Sequence, residues 1–324
     1  MKTKKEYFIL GGVILALILY LVFKGRDRDI YPLPEIAKID VTEVSKIEVS
    51  RKGGSIVLSK KEGQWYIDSE EYPADTKAVE TMLETIGELA VTVVVSESKN
   101  YERYDLADDQ KIGVTAWIGE RPVREFEIGK TAPSYQHTFV KLGKDDPVYH
   151  AKGSFRYSFD KAVEELRDKT ALSFDTAEIT EMKITKGKDR VIITRNETTS
   201  EAKADQGGQG DGTTEPGKGE RIWETNDGTI LDEAKCNDLL GALSKLRLEN
   251  YIEGLNKEAF KDPIYSIQLK GKEDHALSIY EKRNKDDKEH PASSSFNPYP
   301  FTLSEEQLKS VMKTPDDLLT ILKK

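Results

Sequence analysis

DVTEVSKIEVS at residues 40–50 returns as DTAEITEMKIT at residues 175–185, and this pair decides the fold. Asp40, Glu43, Val44, Ile47 and Val49 stand opposite Asp175, Glu178, Ile179, Met182 and Ile184, 135 residues later. In each copy the apolar residues come to alternate with polar ones, the period of a strand with one buried face. Self-similarity at a fixed offset means a repeated architecture.

The likeness extends outward. Ile56-Val57-Leu58 answers Val191-Ile192-Ile193 at the same offset, and Trp65 in GQWYI answers Trp223 in RIWET at an offset of 158. The 23 extra residues are Glu197–Gly219, which contain no large apolar side chain and read as a disordered insert. A helix follows each tryptophan. Asp75 caps the first, with a stripe of Ala78, Val79, Met82, Leu83, Ile86 and Leu89; Asp232 caps the second, with Leu239, Leu240, Leu243 and Leu246 in matching places. These stripes read as core. Strands are expected at Ile112–Ile118, Val123–Ile128, His137–Leu142 and Val148–His150, and in the second half at Ile264–Leu269 and Ala276–Tyr280. A helix over Phe155–Leu166 closes the first half. The capping box Ser304-Glu-Glu-Gln307 and the sequence Thr314-Pro315-Asp316-Asp317 open two closing helices in the second. Short turns between strands favour antiparallel pairing. The fold class is therefore α+β: two tandem related domains with mostly antiparallel sheets, 30–172 and 173–324, meeting near Lys169–Ser173.

Ahead of these domains, YFILGGVILALILYLVF (7–23) carries no charge over seventeen residues. As a helix it is roughly 26 Å long, near the short end of what spans a bilayer. A cleaved signal peptide has a shorter apolar region and a small-residue cleavage site, whereas this run ends Leu-Val-Phe-Lys-Gly-Arg. An uncleaved signal anchor is thus expected over a cleaved peptide or a buried core helix. Residues 1–29 form the cytoplasmic tail and transmembrane anchor, and lipid is the partner of the helix. Lysines and arginines number three on each flank, but the six-residue N-terminal tail is too short to carry a domain. The expected orientation has the N-terminus cytoplasmic and both domains extracytoplasmic, in a single-pass cell-membrane protein.

The net charge is −9; six basic and three acidic residues in 1–29 leave −12 for the rest. An acidic body argues against nucleic acid as a partner. The single cysteine, Cys236, excludes an internal disulfide and a multi-cysteine metal site, and lies in a helical pattern as a small buried residue. None of His137, His150, His275 and His290 sits three or four residues from another, although His137 and His150 fall on separate strands that could approach. Asp145-Asp146 and Asp286-Asp287 lack calcium-loop spacing and read as solvated turns. Ile128-Gly129-Lys130-Thr131 echoes the end of a phosphate-binding loop but lacks the preceding glycine. No Gly-x-Ser-x-Gly elbow occurs. No catalytic, cofactor-binding or metal-binding residue is expected. Trp65 and Trp223 read as packing residues at the ends of hairpins. Tyr299 between Pro298 and Pro300 reads likewise, and Asn284–Asn297 reads as a mobile loop.

A set of short motifs in fixed order carries a resemblance: Gly63, Trp65 and Ile67; Pro73-Ala74-Asp75; Val93–Ser96; Tyr104 and Leu106; Ile128-Gly129-Lys130; Thr138-Phe139-Val140-Lys141; Val148-Tyr149. Together they resemble the bacterial family known as domain of unknown function 4340, over most of residues 38–320. Where that family usually has glycine, before the leucine of the Tyr-x-Leu segment, this chain has Asp105. The resemblance implies a membrane-anchored extracytoplasmic protein, encoded beside ABC transporters of the gliding-motility type, and implies no catalytic residue. The leading expectation is a non-catalytic binding or scaffold protein, an accessory component of an ABC-transporter-type complex with a permease and ATPase as partners. The alternative is a cell-envelope enzyme, a wall-directed hydrolase with an interdomain site.

Overall fold

The computed structural model describes residues 3–24, 33–67, 71–198 and 220–319. It opens with helix α1 (Thr3–Lys24), 22 residues long. The described side chains Tyr7 to Tyr20 are all apolar and all exposed. Fourteen residues make about 21 Å of helix, short of a hydrocarbon core of about 30 Å. Among the described residues no helix is long and apolar enough to cross a membrane.

The chain divides into two compact units, Met1–Asp168, which includes α1, and Lys169–Lys324. In the first, a 3-10 turn (Val41–Glu43) precedes β1 (Lys46–Arg51), β2 (Gly54–Lys61), β3 (Gln64–Ile67) and β4 (Tyr72–Pro73). Helix α2 (Thr76–Gly87) and β5 (Val91–Ser96) follow. After a second 3-10 turn (Tyr101–Tyr104) come β6 (Ile112–Ile118), β7 (Arg121–Thr131), β8 (His137–Leu142) and β9 (Val148–Lys152), and then α3 (Arg156–Phe159) and α4 (Val163–Leu166). The nine strands form one antiparallel sheet in the order β4-β3-β2-β1-β6-β7-β8-β9-β5. Apolar residues sit opposite one another across it: Ile47 faces Leu58 and Ala116, Val49 faces Val114, and Val114 faces Phe126. That face is buried by α2 through Val79, Met82 and Ile86 and by Phe155, Phe159 and Leu166 from the closing segment.

The second unit repeats the plan. It contains β10 (Glu181–Lys186), β11 (Asp189–Thr198), β12 (Glu220–Thr225), α5 (Glu233–Ser244), β13 (Tyr265–Lys270), β14 (His275–Ile279), β15 (Glu289–Ser294), β16 (Phe301–Ser304) and α6 (Glu305–Val311). Its seven strands run β12-β11-β10-β13-β14-β15-β16, the same order as β3 to β9 of the first sheet. Fold class is thus α+β with two antiparallel sheets. The repeat reaches single hydrogen bonds. Asp75 N donates to Leu166 O at 2.7 Å and Asp232 N to Leu318 O at 2.9 Å; Ala74 N donates to Trp65 O and Leu231 N to Trp223 O, both at 2.8 Å. Both aspartates cap their helices: Asp75 accepts from Ala78 N, and Asp232 from Ala234 N and Lys235 N. The segment after α5 has no named strand, yet it takes the place of β5: Glu249 N donates to Thr302 O, Thr302 N to Asn250 O, and Tyr251 bridges Phe301.

Three expectations are corrected. Phe155–Leu166 is not one helix but α3 and α4 with Asp160–Ala162 between them. Glu165 accepts from Ala162 N and opens α4 as a new start, and Arg51 donates to the carbonyls of Phe159 and Lys161 at the break. Nor is Asn284–Asn297 a loop throughout. Glu289–Ser294 is β15, and Pro291 to Ser294 are buried. The pairing partners on β14 and β16 override the weak strand propensity of Pro, Ala and Ser. Of the expected disordered insert 197–219, Glu197 and Thr198 are instead the end of β11, paired with Arg221 and Glu220, and 199–219 lie outside the described residues.

Candidate functional site

The motifs from Val93–Ser96 to Val148-Tyr149 meet at one place in the first unit, and they meet by packing. Gly129 on β7 lies against the Tyr104-Asp105-Leu106 segment so closely that a Cβ there would stand 2.2 Å from Tyr104 O and 2.9 Å from Leu106 Cγ. Asp105 itself is left-handed, φ 56°, at the end of the 101–104 turn. That conformation favours glycine and tolerates aspartate. Lys130 pairs with Asp105 at 3.7 Å. Leu106, Ala132, Phe139 and Val148 form a small buried cluster on which Val95, Tyr101 and Tyr104 pack, with the Tyr104 and Phe139 rings 5.0 Å apart. The echo of a phosphate loop at 128–131 is therefore a strand whose glycine admits a neighbouring backbone and whose lysine is already paired.

Charged groups around this cluster neutralise one another. Lys111 bonds Asp108 and Glu127, each at 2.7 Å, and Lys141 reaches Glu127 at 3.1 Å while its ammonium lies 4.4 Å from the centre of the Tyr101 ring. Burial pulls the Lys111 pKa down, but its bonds to Asp108 and Glu127 more than offset this and leave it raised. Asp146 lies in an exposed ion pair: Lys99 holds it at 2.9 Å and depresses its pKa, and Tyr101 Oη donates to its backbone oxygen at 3.1 Å. Asp287 accepts from Asn284 N at 3.0 Å and closes a turn.

Of the four histidines, the structure brings two together. His137 on β8 and His150 on β9 stack with ring centres 5.2 Å apart, and Phe139 lies 4.8 Å from His150. Burial, then the neighbouring His137, lowers the His150 pKa. His275 stacks on Phe174, and His290 Nδ1 contacts Tyr280 O at 3.0 Å. Among the described residues no group of three His, Cys, Asp or Glu side chains could hold a metal ion. Cys236 takes the core place that Val79 holds in the first unit; burial pushes its thiol up to about 12, far from a nucleophile at neutral pH. Tyr299 packs edge-on to Tyr251 at 6.1 Å.

The tryptophans are both buried but not alike. Trp223 is 0% exposed, and the Arg195 guanidinium lies 5.3 Å from its ring centre. Trp65 is 7% exposed and lines a groove of about 880 Å³ between the Val41–Glu43 turn, the β2–β3 hairpin and α2. Sequence reasoning placed both rings in the core and missed the groove, because nothing local distinguishes a ring beneath an open groove from one beneath a closed one.

From residue 65 to residue 264 the chain matches the family model described as Domain of unknown function (DUF4340). It belongs to that family. The DUF4340 match begins at the first repeated tryptophan and runs past the second, so it straddles the two units. The Gly129–Leu106 packing falls within this DUF4340 stretch. No curated protein and no solved structure matches the chain.

Proposed function

We propose that this DUF4340 protein is a membrane-anchored, extracytoplasmic binding or scaffold protein, an accessory component of an ABC-transporter-type membrane complex. The observation that carries the reading is the use made of the motif residues. Gly129, Tyr104, Leu106, Phe139 and Val148 are consumed in packing, and the charged groups beside them are paired. The use of these residues in packing favours a binding or scaffold role for the fold. The anchor is supported by α1, whose described apolar side chains are 48 to 81% exposed from Tyr7 to Tyr20 where they are large. Such a stripe needs an apolar surround. The sequence continues it through Leu21-Val22-Phe23, to about 26 Å of helix.

The test is capture by a C-terminal tag from native membranes in mild detergent. Co-recovery of a permease and its ATPase is the expected result. Recovery of the protein alone, in good yield from several detergents, overturns the accessory-subunit reading.

A further inference from the structure

Trp65 lines a groove whereas its counterpart Trp223 is 0% exposed, although the local frame is the same. Lys60 faces Trp65 across β2 and β3, as Arg195 faces Trp223 across β11 and β12. Lys60 N donates to Ser45 O, as Arg195 N donates to Thr180 O. The side chains then part. Arg195 lies over its tryptophan, while Lys60 Nζ turns aside to Thr42 O at 3.1 Å. Leu240 is fully buried, whereas its counterpart Leu83 is only partly so and lines the groove with Trp65, Ile39 and Val41. Phe174, the counterpart of Ile39, is turned onto His275.

The open groove has an apolar floor and two charged rims. Glu80 and Glu84 on α2 and Glu88 at its C-cap recur every four residues, so they stand about 6 Å apart along one side of the groove. All three are exposed, and none has an ion-pair partner among the described residues. Lys38 and Lys60 line the other side. A concave floor cannot pack against its own copy across a two-fold axis, because two hollows leave a void. It calls for a convex occupant with an apolar stripe, and the rims state the charge of its flanks.

We propose that this groove docks an amphipathic helix of a partner protein, its apolar stripe on Trp65 and Leu83 and its Lys or Arg residues, four apart, over Glu80, Glu84 and Glu88. Acidic residues on the opposite flank meet Lys38 and Lys60. This goes beyond the accessory-subunit reading and holds whatever complex the chain joins.

The probe is a labelled synthetic peptide of about 18 residues, five turns, with a leucine stripe, lysines at every fourth position on one flank and glutamates on the other. It is titrated by fluorescence anisotropy against the full-length protein in phosphatidylcholine nanodiscs, with empty nanodiscs as the blank. Saturable binding above the blank is expected. It weakens at least about tenfold in the triple variant E80K/E84K/E88K, and that variant regains affinity for a peptide with the two flank charges exchanged. The three positions are exposed, so circular dichroism should find the variant folded. The proposal is overturned by no saturable binding, by equal binding to wild type and triple variant, or by failure of the exchanged peptide to rescue. A groove filled by a second copy would show as a concentration-dependent dimer without peptide, and would also overturn it.

Discussion

Replacing Gly129 with alanine should loosen one cluster and leave the second unit untouched. The new Cβ would stand 2.2 Å from Tyr104 O, and van der Waals contact needs about 1 Å more. The obstacle is backbone, with Leu106 Cγ behind it at 2.9 Å, so no side-chain rotation relieves it. The neighbouring Asp105 is already left-handed and Leu106 is 1% exposed, which leaves the segment little room to retreat. Overpacking of this kind costs about 1–3 kcal/mol, and a backbone clash belongs near the top of that range. The lower entropy of alanine in the unfolded chain returns about 0.4–1 kcal/mol. A net loss of about 2 kcal/mol is expected, or about 30-fold in an opening constant. Amide hydrogen exchange of the full-length protein in mild detergent reads this directly. Peptides from the 101–106 segment, β7 and β8 should exchange about 30-fold faster, while β10 to β14 serve as the internal reference. Gly53→Ala is the control: a Cβ there meets nothing within 4 Å. Unchanged exchange in Gly129→Ala would falsify the packing account of this motif and reopen the question of what the glycine is for.

Other outcomes follow from the same geometry. Asp75→Ala and Asp232→Ala each remove a helix cap and should cost about 1 kcal/mol, each in its own unit only, as seen by exchange at α2 or α5. Leu106→Ala empties a buried site and should cost about 2–5 kcal/mol in the first unit; a loss under half a kcal/mol (about 0.5) would contradict the buried cluster. Because the folded His150 pKa is lowered, the unfolded chain takes up the proton first as pH falls. The stability of the first unit should therefore drop as pH passes below the unfolded value of about 6.5 and level off below the depressed folded value. His150→Gln should flatten that step, and an identical pH profile would refute the assignment. Cys236 should resist alkylation by iodoacetamide at pH 8 in the native protein and react promptly once unfolded; native labelling at the unfolded rate would show that its helix is not packed as described.

The sequence by itself determined the repeat, the class and most of the elements, because those depend on local periodicity. Ile47 and Val49 alternate as a strand does, and the stripe from Val79 to Ile86 recurs as a helix does. Asp75 and Asp232 mark helix starts through bonds made within three residues. The same locality explains the misses. Nothing near Phe155–Leu166 announces that Arg51, more than a hundred residues earlier, bonds two carbonyls at the break between α3 and α4. Proline and serine at 291–294 become a strand only because β14 and β16 lie on either side. Gly129 was legible as part of a motif, but its reason, the approach of the Tyr104 backbone, is a tertiary distance. The groove is the clearest case. Lys60 and Arg195 are both long cations at equivalent strand positions, and sequence alone treats them alike. In the tertiary structure Lys60 reaches the carbonyl of Thr42 whereas Arg195 lies over its tryptophan, and nothing local in either sequence separates the two.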